Sequence, residues 1–325
     1  MLKKLGLKKL GQKKLGVLAT VATVLWATGG AFAFPDKPVN YIIPFNAGGE
    51  SDISARLQQP YFKKITGDDL IIQYQAGAGG AQAWSVLNDQ PGDGYTIMGT
   101  NLPHIILQPL LQKPGYETAD LTNIYMFHFT PDALLVRADS KFETIQQVID
   151  AAKETPGALT VGGTATNTAN HIANQRFSTL TGAEMTYIPY TGTGATIPAL
   201  LGGEVELLWG YTTVAAGQGD KVRMLAVAQD KRHPLFPDVP TFKELGIDMV
   251  GGAYRGIAVP KSTPEEVRQQ LSDIIGQINA DPEFIKEMEQ AGFAMLDVPY
   301  DGMEAFMGER QKIYEDVARQ LGSLK

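Results

Sequence analysis

Short apolar runs that end in a glycine-rich loop, each followed by a helical stretch, recur along this chain. Residues 39–45 are apolar and lead into Asn46-Ala47-Gly48-Gly49; Ile53, Leu57, Tyr61 and Ile65 then fall four apart on one helical face, with Ser51 or Asp52 placed to cap the helix. Residues 70–75 form a second run before Gly77-Ala78-Gly79-Gly80, and residues 95–99 a third, entered through the turn Pro91-Gly92-Asp93-Gly94. A second series begins at Ala133. Strands are expected there over residues 133–136, 160–163, 185–189, 207–210 and 224–228, and helices over 145–154, 169–180 and from 197. A strand over 256–259 and helices over 264–279, 282–291 and 300–321 complete the chain. Strand, glycine loop and helix in alternation imply an α/β fold whose parallel strands are joined by crossover helices. No Pro/Gly/Ser linker separates consecutive domains, so two lobes joined by crossing strands are expected, with breaks near residues 130 and 252.

The first segment has a different character. Lys3, Lys4, Lys8, Lys9, Lys13 and Lys14 precede an apolar run over residues 17–30, and Ala31-Phe32-Ala33 puts small residues where a signal peptidase reads. This is the pattern of a cleavable secretory signal, residues 1–33, and implies a periplasmic protein. The apolar run is shorter than the ~20 residues a membrane-spanning helix needs. Removing a segment with six lysines and no acid takes the formal charge from −7 to −13. Such a surface is a poor partner for nucleic acid, whose phosphates need clustered Lys and Arg. With no cysteine in the chain, disulfides, thiolate metal sites and a cysteine nucleophile are excluded.

Loops between the carboxyl end of a parallel strand and the next helix line the crevice of an α/β sheet, and their free N–H groups and helix dipoles favour anions. Residues 46–51 and 77–80 in the first series, and 162–168 and 190–194 in the second, are such loops. Gly163-Thr164-Ala165-Thr166-Asn167-Thr168 offers hydroxyls and amides without charge, which suits hydrogen bonding to a carboxylate. Any one of these loops is explained better by a tight turn. Four of them behind an export signal point to ligand binding.

The motifs Phe34-Pro35-Asp36-Lys37-Pro38 and Ile43-Pro44-Phe45-Asn46-Ala47-Gly48-Gly49-Glu50-Ser51-Asp52 resemble the mature start of the substrate-binding proteins of tripartite tricarboxylate transporters, the Bug/TctC family. The similarity continues through Gly77-Ala78-Gly79-Gly80, Asp93-Gly94-Tyr95-Thr96, Ile188-Pro189-Tyr190-Thr191-Gly192 and Ala199-Leu200-Leu201-Gly202-Gly203. It ends with Phe236-Pro237-Asp238-Val239-Pro240-Thr241 and Ala258-Val259-Pro260-Lys261-Ser262-Thr263-Pro264. The resemblance implies a periplasmic-binding-protein type II-like fold, with lobe 1 formed by residues 34–130 and 253–325, lobe 2 by residues 131–252, and a ligand cleft between them. It also implies a monomeric solute-binding protein that captures a small carboxylate for integral membrane permease subunits, without cofactor or metal. Carried over to this chain, the ligand loops are Phe45, Asn46, Gly48, Gly49 and Asp52 with Thr164, Thr166 and Asn167, Asp52 organising its loop rather than touching an anion.

Two positions depart from the family pattern. Glu50 stands where a small or hydroxyl residue is frequent; facing the cleft, it disfavours a carboxylate there and prefers a donor group. Tyr254-Arg255-Gly256 occupies a stretch where many members carry a tryptophan, and the fork of Arg255 can bind a carboxylate bidentately or pair with a nearby acid. Ser51, Gly79, Asn101, His171 and Tyr211 are further ligand candidates from their places at strand ends and helix starts, and His104 follows Asn101 closely. Trp84 and Trp209 read as core residues. No HExxH pair, GxSxG elbow or phosphate-binding Walker loop is present. A hydrolase assembled from Ser51, His171 and Asp52, or a periplasmic sensor using the same cleft, remain the alternatives.

Overall fold

The structure is a computed structural model that describes residues 34–320; the expected signal segment lies outside them. Strands β1 (Val39–Ile43), β2 (Leu70–Tyr74) and β3 (Thr96–Leu102) run parallel with β1 in the middle, and α1 (Glu50–Thr66), the short α2 (Ala81–Trp84) and α3 (His104–Leu111) follow them in turn. Then comes β4 (Thr122–Arg137), followed by α4 (Ile145–Glu154), β5 (Thr160–Thr164), α5 (Ala169–Thr181), β6 (Thr186–Tyr190), α6 (Thr193–Leu201), β7 (Leu207–Tyr211), α7 (Thr212–Gln218) and β8 (Val222–Val227). The chain returns through β9 (Gly252–Val259), α8 (Glu265–Asn279), α9 (Pro282–Gln290), β10 (Ala294–Val298) and α10 (Tyr300–Gln320).

The strand order β2-β1-β3-β9-β4-β7-β5-β6, with β8 and β10 also on β4, makes one mixed, curled sheet of two halves. β5 lies parallel to β6 and β7, as the strand–loop–helix alternation implies, whereas β9 is antiparallel to both β3 and β4. β4 holds the halves together. Residues 122–131 of it pair with β9, and Asp132 onward pairs with β7 and β8. The exchange falls at Pro131, which has no N–H to give a ladder. Opposite it stands Gly252, where a Cβ would lie 2.3 Å from the Thr130 carbonyl oxygen.

Each half has its own core. In the first, Tyr41, Phe62, Trp84, Ile97, Phe127, Ile257, Ile275 and Phe284 pack under the helices. In the second, alternate residues of β4 serve opposite faces: Leu134 and Val136 join Phe177, Trp209 and Phe242, while Ala133 and Leu135 join Leu200, Leu208 and Val214. Trp84 and Trp209 are core residues, their indole N–H groups donated to the Gly99 carbonyl at 2.8 Å and to Asn174 Oδ1 at 3.1 Å.

Several boundaries differ from the sequence expectation. β4 has 16 residues where only 133–136 were expected, because its first part is buried on both faces and carries Asn123, His128 and Thr130 inside, so no alternation marks it. β9 starts at Gly252 rather than 256, α6 at Thr193 rather than 197, and β10 was not expected. The cap of α1 is Gly49, in extended conformation, not Ser51 or Asp52, both of which lie inside the helix.

Trp209→Ala would empty the contact between Phe177 and Phe242, whose ring centroids lie 5.6 and 5.7 Å from the indole, and leave Asn174 unpaired. We expect a loss of about 3–5 kcal/mol in urea unfolding; a loss under about 1 kcal/mol would contradict this packing.

Candidate functional site

The carboxyl end of β1 delivers a loop, residues 44–49, to the start of α1. Gly48 sits at φ +80°, a conformation that favours glycine. Its N–H is donated to Asp52 Oδ2 at 2.8 Å, and the other carboxylate oxygen accepts the Tyr74 hydroxyl at 2.6 Å and pairs with Arg56 Nε at 2.8 Å. Asp52 is thus occupied in shaping the loop from beneath.

One residue after the cap, Glu50 turns inward and is 4% exposed. Its Oε1 accepts the Thr213 hydroxyl at 2.8 Å, from the other half of the sheet, and its Oε2 lies 3.3 Å from Arg255 Nη2. Arg255 comes from β9, where it pairs in register with Asn101 of β3 on one side and His128 of β4 on the other. Its Nη1 donates to the Ala253 carbonyl at 3.0 Å and to Thr130 Oγ1 at 3.4 Å, and its guanidinium lies 4.8 Å over the Tyr211 ring. Its Nε has no partner, and neither do Asn101 Oδ1 and His104 Nδ1.

These groups surround one enclosed cavity, lined by Phe45, Asn46, Gly49, Glu50, Ser51, Asn101, His104, Thr164, Thr193, Tyr211 and Arg255. The centre of a water-sized sphere is free to move in only ≈10 Å³ of it, room for about one water molecule. The walls meet tightly above it: Asn46 Nδ2 donates to Thr191 Oγ1 at 2.6 Å, and a Cβ on Gly194 would lie 2.2 Å from the Ala47 carbonyl oxygen. A larger hollow of ≈810 Å³ lies near α3 and α10, but exposed Glu117, Glu265, Asp301 and Glu304 line it, and it is an open groove. Among the described residues no group of three or more His, Asp or Glu side chains is arranged to hold a metal ion.

Of the residues singled out from sequence, Phe45, Asn46, Gly49, Ser51, Asn101, Thr164, Tyr211 and Arg255 meet at this cavity. Gly48 and Asp52 stand behind it. Gly79 lies against Gln108, Ala165 and Thr168, its carbonyl accepting Gln108 Nε2 at 3.0 Å. Thr166 is exposed; Asn167 reaches outward to Gln112 Oε1 at 3.1 Å; His171 accepts the Asn167 N–H at 3.2 Å and packs at a tilt against the Tyr187 ring. These three are not in the cavity lining. The positive φ of Ala165 and Asn167 turns the loop so that Thr164 alone points inward. Thr193 falls in the expected crevice loop 190–194 but was not singled out there, and α6 begins at it; its hydroxyl lies 3.5 Å from that of Thr164.

Burial sets the titration of the site. His104 is held down at about 3, mainly by desolvation and also by the positive charge of Arg255. His128, His171 and His233 are lowered by burial too. Asp132, at the strand exchange, is pushed up to about 7 by burial, against the pull of Arg176 and Arg255.

A family model described as "Tripartite tricarboxylate transporter family receptor" matches residues 54–322. The "UPF0065 protein in gbd 5'region" of Cupriavidus necator is 30% identical over 295 residues, 90% of each chain. The solved structure of the periplasmic binding protein BugD matches with a TM-score of 0.84 and 27% identity, over 90% of this chain and 100% of that one. The structure of R. palustris Rpa4515 with adipate matches with a TM-score of 0.84 and 25% identity, over 89% and 98%. The α/β architecture is therefore that of periplasmic binding proteins.

The lowered histidines make stability depend on acid. Each has a folded pKa below the ~6.5 of the unfolded chain, so the unfolded state takes up protons first as pH falls. His104 alone then contributes a loss of roughly 1.4 kcal/mol per pH unit between about pH 6 and its folded pKa. Asp132 acts oppositely, since its folded pKa lies above the unfolded ~3.9, but it is one group against four histidines. We expect the melting temperature to fall between pH 7.5 and 5.0; a rise would contradict the buried neutral histidines.

Proposed function

The chain belongs to the receptors of the tripartite tricarboxylate transporter family, and from that premise we propose that it is a periplasmic solute-binding protein that captures a small carboxylate in its enclosed cavity and presents it to membrane permease subunits. The observation that carries this reading is the position of the cavity. It lies where the two half-sheets meet, and both halves supply polar walls to it: the start of α1 with Asn101 and Arg255 from one, Thr164, Thr193 and Tyr211 from the other. Backbone N–H groups in the first turn of a helix are unpaired within it and favour a carboxylate. The adipate of the R. palustris relative supports the ligand class.

In this reading the lobes are residues 34–130 with 253–325, and residues 131–252, hinged on β4 and β9. The cavity in its present closed form is far too small for an organic acid, so the lobes part to admit ligand and close over it. The receptor acts by binding and delivery rather than by catalysis. Residues 1–33 are an export signal removed after Ala33. No described helix is long and apolar enough to cross a membrane.

The test is thermal melting of the chain from Phe34 onward against di- and tricarboxylates, monocarboxylates, amino acids and sugars. A ligand at 100 times its Kd stabilises by about 2.7 kcal/mol, a readable shift. We expect a shift with one carboxylate class. A shift with sugars alone, or with none of the panel, would overturn the reading.

A further inference from the structure

The cavity wall carries one acid and one base, and they face each other. Glu50 and Arg255 are 4% exposed each and joined at 3.3 Å. The third titratable group in the lining that bears on charge, His104, is kept neutral by its burial. No other charged side chain lines the cavity among the described residues. The site therefore offers no net charge from side chains, and Glu50 also sets a negative group against the positive end of α1. One carboxylate can be met by the first-turn N–H groups and the Ser51 hydroxyl. A second carboxylate finds the one cation among the described lining residues already neutralised by Glu50, with only its Nε unpaired, and it would have to lie beside that acid.

The unpartnered atoms point to what the other end of the ligand must be. Asn101 is 1% exposed and its Oδ1 accepts nothing. The Glu50 carboxylate, in the same lining, accepts Thr213 and Arg255. Asn101 Oδ1 is an unmatched buried acceptor in the lining, which is costly, and each Glu50 oxygen, paired once, can accept again, so the ligand should bring donors to them, while the unpaired Arg255 Nε and His104 Nδ1 leave room beside them for a carboxylate oxygen. Building on the solute-binding reading, we propose that this receptor is specific for carboxylates that also carry an N–H donor, an ammonium or an amide, and that Glu50 is the residue that rejects di- and tricarboxylates. The bound ligand sets its carboxylate at the start of α1 and its nitrogen between Glu50 and Asn101. A site built around a hydrogen bond to a ligand N–H discriminates strongly against an analogue without it.

Titration calorimetry on the chain from Phe34 onward, with three matched series, tests this. The probes are succinate, glutarate and adipate; their monoamides succinamate, glutaramate and adipamate; and the ω-amino acids 4-aminobutyrate, 5-aminopentanoate and 6-aminohexanoate. At the chain length that binds best, the amide or the amino acid should bind at least about tenfold tighter than the dicarboxylate. The amide and amino-acid arms show which donor is used. In Glu50→Gln, which releases Arg255, the order should invert. The wild-type series decides the proposal even where the variant fails to fold. A dicarboxylate that equals or outbinds its amide and amino acid in the wild type overturns the inference and leaves the solute-binding reading standing. Binding only of carboxylates without an N–H donor does the same. Absence of binding by every carboxylate overturns both.

Discussion

The buried pair of Glu50 and Arg255 is the interaction on which the rest of the site depends. Taking two charges out of water costs several kcal/mol for each ion, and only good geometry and further hydrogen bonds repay it. The further hydrogen bonds are present here, while the ion pair itself is a single contact of 3.3 Å that leaves Arg255 Nε unpaired. Thr213 holds one carboxylate oxygen, Thr130 and the Ala253 carbonyl hold one arm of the guanidinium, and the Tyr211 ring lies against its face. The partners of this cluster come from both half-sheets, so the pair is also a latch between them. Removing one member of such a pair typically costs about 3–5 kcal/mol, whereas replacing both by apolar groups is often neutral. Stability alone gives little reason for an ion pair in a cavity wall, and recognition gives a direct one.

The fold explains how those groups are brought together. β4 spans both half-sheets and changes partner at Pro131, and β9 runs beside its first part. Arg255 stands on β9 only three residues beyond the strand's start at Gly252, flanked in register by Asn101 and His128. The parallel strands on either side end at the same crevice, so their following loops converge there, as expected where strand order reverses in an α/β sheet. The approach of the loop before α1 to the start of α6 is close enough that only glycine fits at position 194.

How far the sequence foretold this can be traced residue by residue. The loop at Gly48 and Gly49 was legible because a strand ending in paired glycines before a helical pattern has few other solutions. Thr164 and Tyr211 were legible as strand-end residues. The first part of β4 was not, because a strand buried on both faces with polar residues inside shows no period of two. Nor could spacing reveal the Glu50–Arg255 contact, whose members lie 205 residues apart; Glu50 was marked only as a departure from the family pattern. Thr166, Asn167 and His171 read as one unit with Thr164, but two residues at positive φ divide them and turn them to the rim. Thr193 lay in the expected crevice loop 190–194 without being singled out from it; glycine and threonine are weak helix formers, which moved the expected start of α6 past it.

The central claim is that a carboxylate is held by closure of the two halves over the cavity. Small-angle X-ray scattering tests it most directly, on the chain from Phe34 onward and on its Gly194→Ala variant, with and without the carboxylate that most raises the melting temperature. The account predicts that ligand reduces the radius of gyration of the wild type, while the variant, whose added methyl meets the Ala47 carbonyl, stays expanded and binds at least about tenfold more weakly. A wild type unchanged by ligand, or a variant that compacts and binds like it, would contradict the account.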